Sequence, residues 1–160
     1  MLSEASAPLD LMAAGNALDA GFNLIYTRNF LRTMKRKALL KLAQYPQLYD
    51  REHLLASTTL RAFDNLITAP LHGYRDTDDY WTRASSKPWL ARIAVPTLVL
   101  NALNDPFLPA AALPGDGEAS PFVHLEQPAG GGHVGFVSGG FPGRLDWLPR
   151  RLLAHFAEAS

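Results

Sequence analysis

Apolar residues recur with helical spacing through the first half of the chain. The clearest case is residues 23–44, where one face is apolar at steps of three and four residues, at Leu31, Met34, Ala38 and Leu42. Four shorter helices are predicted around it, over residues 11–20, 50–55, 60–67 and 76–83. Asp50 is a candidate N-cap for the second of them and Thr58 or Thr59 for the third, which should end near Pro70.

The pattern changes at residue 93, where a continuous apolar run with branched side chains begins. Residues 93–101 have the length and composition of a strand that is buried on both faces, as in a parallel sheet. Pro96 is tolerated only at the start of such a strand. Residues 122–126 alternate apolar and polar side chains and predict a second strand, and residues 146–157 predict a final amphipathic helix.

Two strands and many helices are an unbalanced set for one domain. A doubly buried strand needs parallel neighbours and helices on both sides of the sheet, and an isolated pair of strands is only marginally stable in water. The pattern therefore predicts the α/β class, and the C-terminal part of a domain whose first strands are absent.

Composition narrows the classes of function. The 160 residues are 48% hydrophobic, which excludes an intrinsically disordered chain. Because 15 basic residues balance 15 acidic ones, the chain lacks the positive charge of a nucleic-acid-binding protein. Cysteine is absent, which excludes thiolate chemistry, and no histidine spacing suggests a metal, so we expect no metal or cofactor. No apolar run approaches the roughly 20 residues of a spanning helix, and no signal peptide is evident, so we expect no stable membrane insertion and a cytoplasmic location.

Two residues are candidates for catalysis. Asp105 follows the predicted buried strand, and functional side chains of open α/β sheets lie at the carboxyl ends of strands. An aspartate before Pro106 is also common turn chemistry, so a purely structural role is the alternative. His133 lies in a glycine-rich loop after the second strand, where an imidazole can serve as a base near neutral pH or simply fill the turn.

The order of these residues favours the catalytic interpretation. In α/β-hydrolases the last two members of the Ser…Asp…His triad follow the same order along the chain. The acid comes at the end of one strand, and the histidine comes in the loop after a later strand. In such a triad the carboxylate orients the imidazole, and the imidazole takes the proton of the nucleophile.

Seven segments carry a family pattern: Ser6–Leu11, Arg61–Asp64, Thr68–Tyr74, Asp79–Tyr80, Pro96–Ala102, Asp105–Phe107 and Gly131–Phe136. Together they span nearly the whole chain and resemble the YheT-like branch of the α/β-hydrolases, which includes plant embryogenesis-associated proteins and animal abhydrolase-domain lipases. The resemblance implies a serine hydrolase that acts on carboxylic esters or acyl lipids of short or medium chain length. It implies Asp105 as the triad acid and His133 as the base.

The same resemblance implies a division of the chain and further site residues. Residues 1–160 would be part of one α/β-hydrolase domain, with a helical cap over 23–83 and a portion carrying the acid and the base over 93–160. Phe107 and Phe136, which lie in the two most specific segments, are expected to contact substrate.

The chain departs from the family pattern in two places. The family usually has a second aspartate where this chain has Asn104, but the spacing from Asp105 to Pro109 keeps Asp105 as the candidate acid. The nucleophile elbow, Gly-x-Ser-x-Gly between a strand and a helix, does not occur in residues 1–160. We therefore expect that Met1 starts in mid-domain and that the chain alone is inactive, because without a nucleophile no acyl-enzyme forms.

Two further interpretations stay open at this point. In the first, the chain is a non-catalytic protein, either a remnant or a binding subunit. In the second, it is a small unrelated α/β protein in which Asp105 and His133 have only structural roles. The residues give no oligomeric state, and they do not define the acyl chain or the alcohol.

Overall fold

Residues 85–158 fold together with Met1–Asp10 around a small parallel β-sheet, and Leu11–Ala84 form a second, helical unit. A computed structural model describes residues 1–158. We call the two parts the sheet unit and the helical unit. The strands are β1 (Leu2–Ala5), β2 (Thr97–Leu100) and β3 (Val123–Glu126). The helices are α1 (Leu11–Leu18), α2 (Leu24–Gln44), α3 (Arg51–Ala56), α4 (Leu60–Phe63), α5 (Ala69–Leu71), α6 (Thr77–Ala84) and α7 (Trp147–Ala157).

The sheet has the order β1-β2-β3, and both strand pairs are parallel. All four residues of β2 are buried, which confirms the predicted central strand. It begins at Thr97, because Pro96 has no N–H to give to a ladder. The carbonyl of Pro96 instead accepts the N–H of Leu2 at 2.9 Å, so the proline still contributes to the pairing with β1.

The expectation of only two strands is wrong. Leu2–Ala5 form a third strand, which pairs with the whole length of β2 from Leu2 opposite Thr97 to Ala5 opposite Leu100. Its sequence, Leu-Ser-Glu-Ala, contains no β-branched or aromatic residue and therefore has no strand signal of its own. Pairing with the buried central strand, rather than local preference, makes it a strand.

Helix α7 holds the sheet from one side. Its residues Trp147, Leu148 and Leu152 pack on a core of Leu98, Leu100, Ala102 and Phe136. Its polar residues reach both outer strands: His155 Nε2 donates to the carbonyl of Leu2 at 3.0 Å, and Arg151 Nε donates to the carboxylate of Glu126 at 2.6 Å. The final helix thus fixes the sheet edges as well as the core.

The helical unit is built around the predicted apolar stripe of α2. Its core consists of Leu31, Ala38, Leu54, Phe63 and Ile67. The predicted N-caps of α3 and α4 are confirmed, since Asp50 accepts the N–H of His53 at 2.7 Å and Thr59 accepts that of Ala62 at 3.1 Å. Within residues 1–158, no helix combines the length and the apolar character needed to cross a bilayer.

The helix predicted over residues 60–67 ends near Pro70 as expected, at Leu71, but it is not a regular α-helix throughout. After α4 the backbone widens into a π-helical turn, Asp64–Thr68, and continues as α5 with Pro70 in its first turn. Proline lacks the N–H that a regular helix interior requires, and it is tolerated in a first turn where that donor has no partner. The π-helical turn thus allows the helical segment to continue through Pro70.

A buried carboxylate links this turn to α6. Asp64 accepts the indole N–H of Trp81 at 2.9 Å with one oxygen and the hydroxyl of Thr68 at 2.6 Å with the other. Burial raises the pKa of Asp64, and the two hydrogen bonds oppose that shift without cancelling it. The ring of Trp81 lies so close to Gly15 of α1 that a β-carbon there would be 2.3 Å from it. The tryptophan therefore joins α1, α6 and the π-helical turn.

Candidate active site

The turn after β2 fixes the carboxylate of Asp105. The side chain of Asp105 is 1% exposed, and its Oδ1 accepts the backbone N–H of Phe107 at 2.8 Å. Its own N–H donates to the carbonyl of Ala102 at 3.1 Å. Asp105 therefore has the structural role in the turn that the sequence analysis gave as the alternative. This role uses only one of its two carboxylate oxygens.

The other oxygen of Asp105 faces His133. Oδ2 lies 2.9 Å from Nδ1 of the imidazole, although the two residues are 28 positions apart in the chain. Because a carboxylate can only accept, the bond requires the proton on Nδ1, which leaves the Nε2 lone pair as the acceptor of the neutral ring. About a third of the His133 side chain is exposed, and among residues 1–158 its Nε2 has no hydrogen-bond partner. The structure thus brings together the two residues that the sequence singled out.

Two polar side chains hold the loop that carries His133. Asn104 Oδ1 accepts the N–H of Gly132 at 2.9 Å, and the buried hydroxyl of Ser6, just after β1, donates to the carbonyl of His133. Gly132 has a φ of 61°, a left-handed conformation that glycine adopts without a steric penalty. The loop is tied to the ends of two strands, and this fixes the imidazole beside the carboxylate.

Asn104 and Ser6 are the site residues that sequence reasoning missed. The sequence marks Asn104 only as a departure from the family pattern, and Ser6 only as part of a matching segment. Their positions next to Asp105 and at the end of β1 were the available signal, but their partners lie 28 and 127 residues away in the chain.

The two phenylalanines have different surroundings. The ring of Phe107 is tilted against the imidazole of His133, with centroids 4.5 Å apart. Phe136 is 3% exposed and stacks on Trp147 at 5.1 Å, within the core of the sheet unit. Phe107 therefore lies beside the candidate base, whereas the contacts of Phe136 are those of a core residue. A role in substrate binding stays a prediction for both.

No metal cluster accompanies the pair. Within residues 1–158, no group of three or more histidine, aspartate or glutamate side chains is arranged to hold a metal ion. What the geometry offers is acid–base chemistry: a buried carboxylate that orients a partly exposed imidazole.

Comparison with known proteins places this arrangement in a family. The chain is 38% identical over 149 residues to YheT of Escherichia coli (strain K12), a protein named as an esterase. It is 30% identical over 149 residues to human phospholipase ABHD3. Both matches cover 92% of this chain. The chain belongs to the α/β-hydrolase family. The resemblance found in the sequence is thereby confirmed.

The similarity extends to a lipase but covers only part of each relative. A monoacylglycerol lipase of Saccharomyces cerevisiae is 37% identical over 111 residues, which are 68% of this chain. The chain spans less than half the length of these curated relatives: 44% of YheT, 36% of human ABHD3 and 24% of the yeast lipase. No family model and no solved structure matches the chain.

Proposed function

We propose that residues 1–160 carry the acid and the base of a serine hydrolase that acts on carboxylic esters, with Asp105 as the acid and His133 as the base. The observation that supports this most directly is the hydrogen bond between Asp105 Oδ2 and His133 Nδ1. Membership of a family whose relatives are named as an esterase, a phospholipase and lipases supports ester hydrolysis.

In the proposed mechanism, Asp105 keeps the proton on Nδ1 so that Nε2 accepts the proton of a serine hydroxyl as that hydroxyl attacks the ester carbonyl. The imidazolium that results is stabilised by the carboxylate and returns its proton to the leaving alcohol. The acyl-enzyme is then cleaved by water with the same base. The Phe107 N–H keeps Oδ1 occupied, so that Oδ2 faces the ring throughout.

The nucleophile and the oxyanion-hole donors would come from polypeptide outside this sequence, because residues 1–160 contain no Gly-x-Ser-x-Gly segment. The proposed substrates are esters of acyl chains, with Phe107 and Phe136 as candidate contacts. A cap formed by residues 23–83 is part of the same proposal.

A chimeric enzyme tests the proposal. Residues 1–160 of this chain replace the matched region of YheT, and hydrolysis of p-nitrophenyl butyrate is compared with that of YheT itself. In an active chimera, Asp105→Asn should lower kcat by about 10⁴ and His133→Ala by about 10⁶, the losses typical of a triad without its orienting acid and without its base. A matched control is His124→Ala, an exposed histidine on β3, which should leave the rate unchanged.

The 160-residue chain alone should not hydrolyse this ester. Turnover by the chain that disappears in His133→Ala would contradict the absence of a nucleophile. A folded, active chimera that keeps its rate in both His133→Ala and Asp105→Asn would contradict the proposed acid and base. It would favour the interpretation of the chain as a non-catalytic remnant or binding subunit.

A further inference from the structure

Helix α2 carries a concentration of positive charge that the proposed hydrolase chemistry does not use. Its 21 residues include no aspartate or glutamate. The basic side chains are Arg28, Arg32, Lys35, Arg36, Lys37 and Lys41. Because the whole chain has no net charge, this excess is local to the helix. A local excess of cations attracts anionic ligands and concentrates them near the surface.

Three of these cations border a groove of about 560 Å³ in the helical unit. Arg28, Arg32 and Lys35 follow one another at steps of four and three residues and therefore lie on one face of the helix. Leu24 and Leu31 of the same helix supply apolar lining, and Leu31 is buried. The short segment 57–59, which consists of one serine and two threonines, also lines the groove. The lining of the groove thus combines apolar, cationic and hydroxyl-bearing residues, although the hydroxyls of Ser57 and Thr59 already bond to the backbone.

The cations of the groove, Arg28, Arg32 and Lys35, form no ion pair within the described part of the chain. Asp19 is the carboxylate that lines the groove, and its two oxygens accept the backbone N–H groups of Leu60 at 2.8 Å and Arg61 at 3.0 Å. The local carboxylate is therefore committed to the first turn of α4.

The cations keep donors for a ligand. Arg32 makes one hydrogen bond to Asn29 at 3.2 Å, and Lys35 makes one to the carbonyl of Leu55 at 2.8 Å. A guanidinium has five N–H donors and an ammonium has three, so most of them remain available. Lys35 is held in place by its bond and still presents its charge to the groove.

We propose that this groove binds the phosphate group of an anionic ligand through Arg28, Arg32 and Lys35. Arg28 and Arg32 are one helical turn apart, about 6 Å along the axis, which places two planar forks where they can share one tetrahedral anion. The apolar lining suits a phosphate that is attached to a hydrocarbon portion. The phosphate belongs either to a soluble phosphate ester or to the headgroup of an anionic lipid, and the experiment distinguishes these sources.

Binding to the 160-residue chain tests the proposal without any assay of ester hydrolysis, so its outcome is independent of the proposed function. In one arm, glycerol 3-phosphate is titrated calorimetrically, with glycerol as the uncharged reference. In the other arm, the chain is sedimented with phosphatidylcholine vesicles that contain or lack phosphatidic acid. Binding in either arm should weaken as salt is raised from 0.1 M to 1 M, because the screening length then falls from about 10 Å to about 3 Å.

The decisive comparison uses two matched double variants of α2. Arg28→Glu with Arg32→Glu reverses two charges in the groove, and Arg36→Glu with Lys37→Glu reverses two charges of the same helix that do not line it. We expect the first pair to weaken binding about tenfold or more, the loss expected from one charged hydrogen bond. The second pair should change it less than threefold, about the size of a screened surface effect.

Circular dichroism establishes that each variant is folded, and Arg28→Gln with Arg32→Gln is the milder alternative if the reversed pair is not. Binding of glycerol 3-phosphate that depends on the groove supports a soluble ester as the ligand. Groove-dependent binding to phosphatidic acid vesicles alone supports a lipid headgroup. The proposal is overturned if the wild-type chain binds neither probe, or if the two double variants weaken binding equally.

Discussion

Gly131 provides a sensitive test of how the loop of the candidate base is packed. A β-carbon at this position would lie 2.5 and 2.6 Å from two ring carbons of Phe136 and 2.8 Å from the β-carbon of Ala102. Neither neighbour is free to move, since Ala102 is fully buried and Phe136 stacks on Trp147. The N–H of Phe136 also donates to the carbonyl of Gly131 at 2.8 Å, which fixes the two backbones to each other. Gly131→Ala therefore forces a rearrangement of the core.

The expected cost is that of overpacking a well-packed core, about 1–3 kcal/mol of the free energy of unfolding. Gly130 supplies the matched control, because a β-carbon there meets nothing within 4 Å and its φ is not left-handed. Gly130→Ala should be neutral or stabilise by about 0.4–1 kcal/mol, since it restricts the unfolded chain. The comparison therefore isolates the steric contact from the general effect of replacing glycine.

The assay is urea unfolding of both variants and the wild type, followed by circular dichroism and tryptophan fluorescence. Gly131→Ala should unfold at a lower urea concentration with an unchanged slope, because the stability and not the compactness changes. Equal midpoints for Gly130→Ala and Gly131→Ala would refute the close approach of the loop to Phe136 and Ala102.

Two further predictions concern single side chains. Asn104→Ala removes the acceptor of the Gly132 N–H, so amide hydrogen exchange at Gly132 should accelerate while exchange in β2 is unchanged; unchanged exchange at Gly132 would contradict the bond. Burial raises the pKa of Asp64, so the folded state binds the proton of this carboxyl group more tightly than the unfolded state does. The protonated group therefore stabilises the folded state below about pH 3.9, and this stability is lost as the pH rises through the raised pKa. Asp64→Asn should remove that decline, as urea unfolding at a series of pH values will show; parallel pH profiles for the variant and the wild type would speak against it.

The elements with a strong local signal were predictable from the sequence. β2 carries its own signal, an apolar run with a proline that marks its start, and the structure begins the strand at the residue after Pro96. The caps Asp50 and Thr59 were equally visible, because a short polar side chain before a helix serves the first free N–H groups. The order of Asp105 and His133 relative to the two strands was enough to single out both residues.

What depends on distant partners was not predictable. β1 is a strand because β2 lies beside it, and Leu-Ser-Glu-Ala alone has no preference for that conformation. The continuation of the helix past Pro70 passes through a π-helical turn, in which Asp64 accepts the indole N–H of Trp81, a residue 17 positions away. The support of the His133 loop by Asn104 and Ser6 arises only when the ends of the strands meet.

The tautomer of His133 in solution tests the pairing of the Asp105 carboxylate with the imidazole most directly. Nitrogen-15 NMR of the neutral imidazole distinguishes a proton on Nδ1 from one on Nε2. We expect the Nδ1–H form in the wild-type chain, because Asp105 Oδ2 accepts that proton, and a shift toward the Nε2–H form in Asp105→Asn. A predominant Nε2–H form in the wild type that Asp105→Asn leaves unchanged would contradict the carboxylate–imidazole pair.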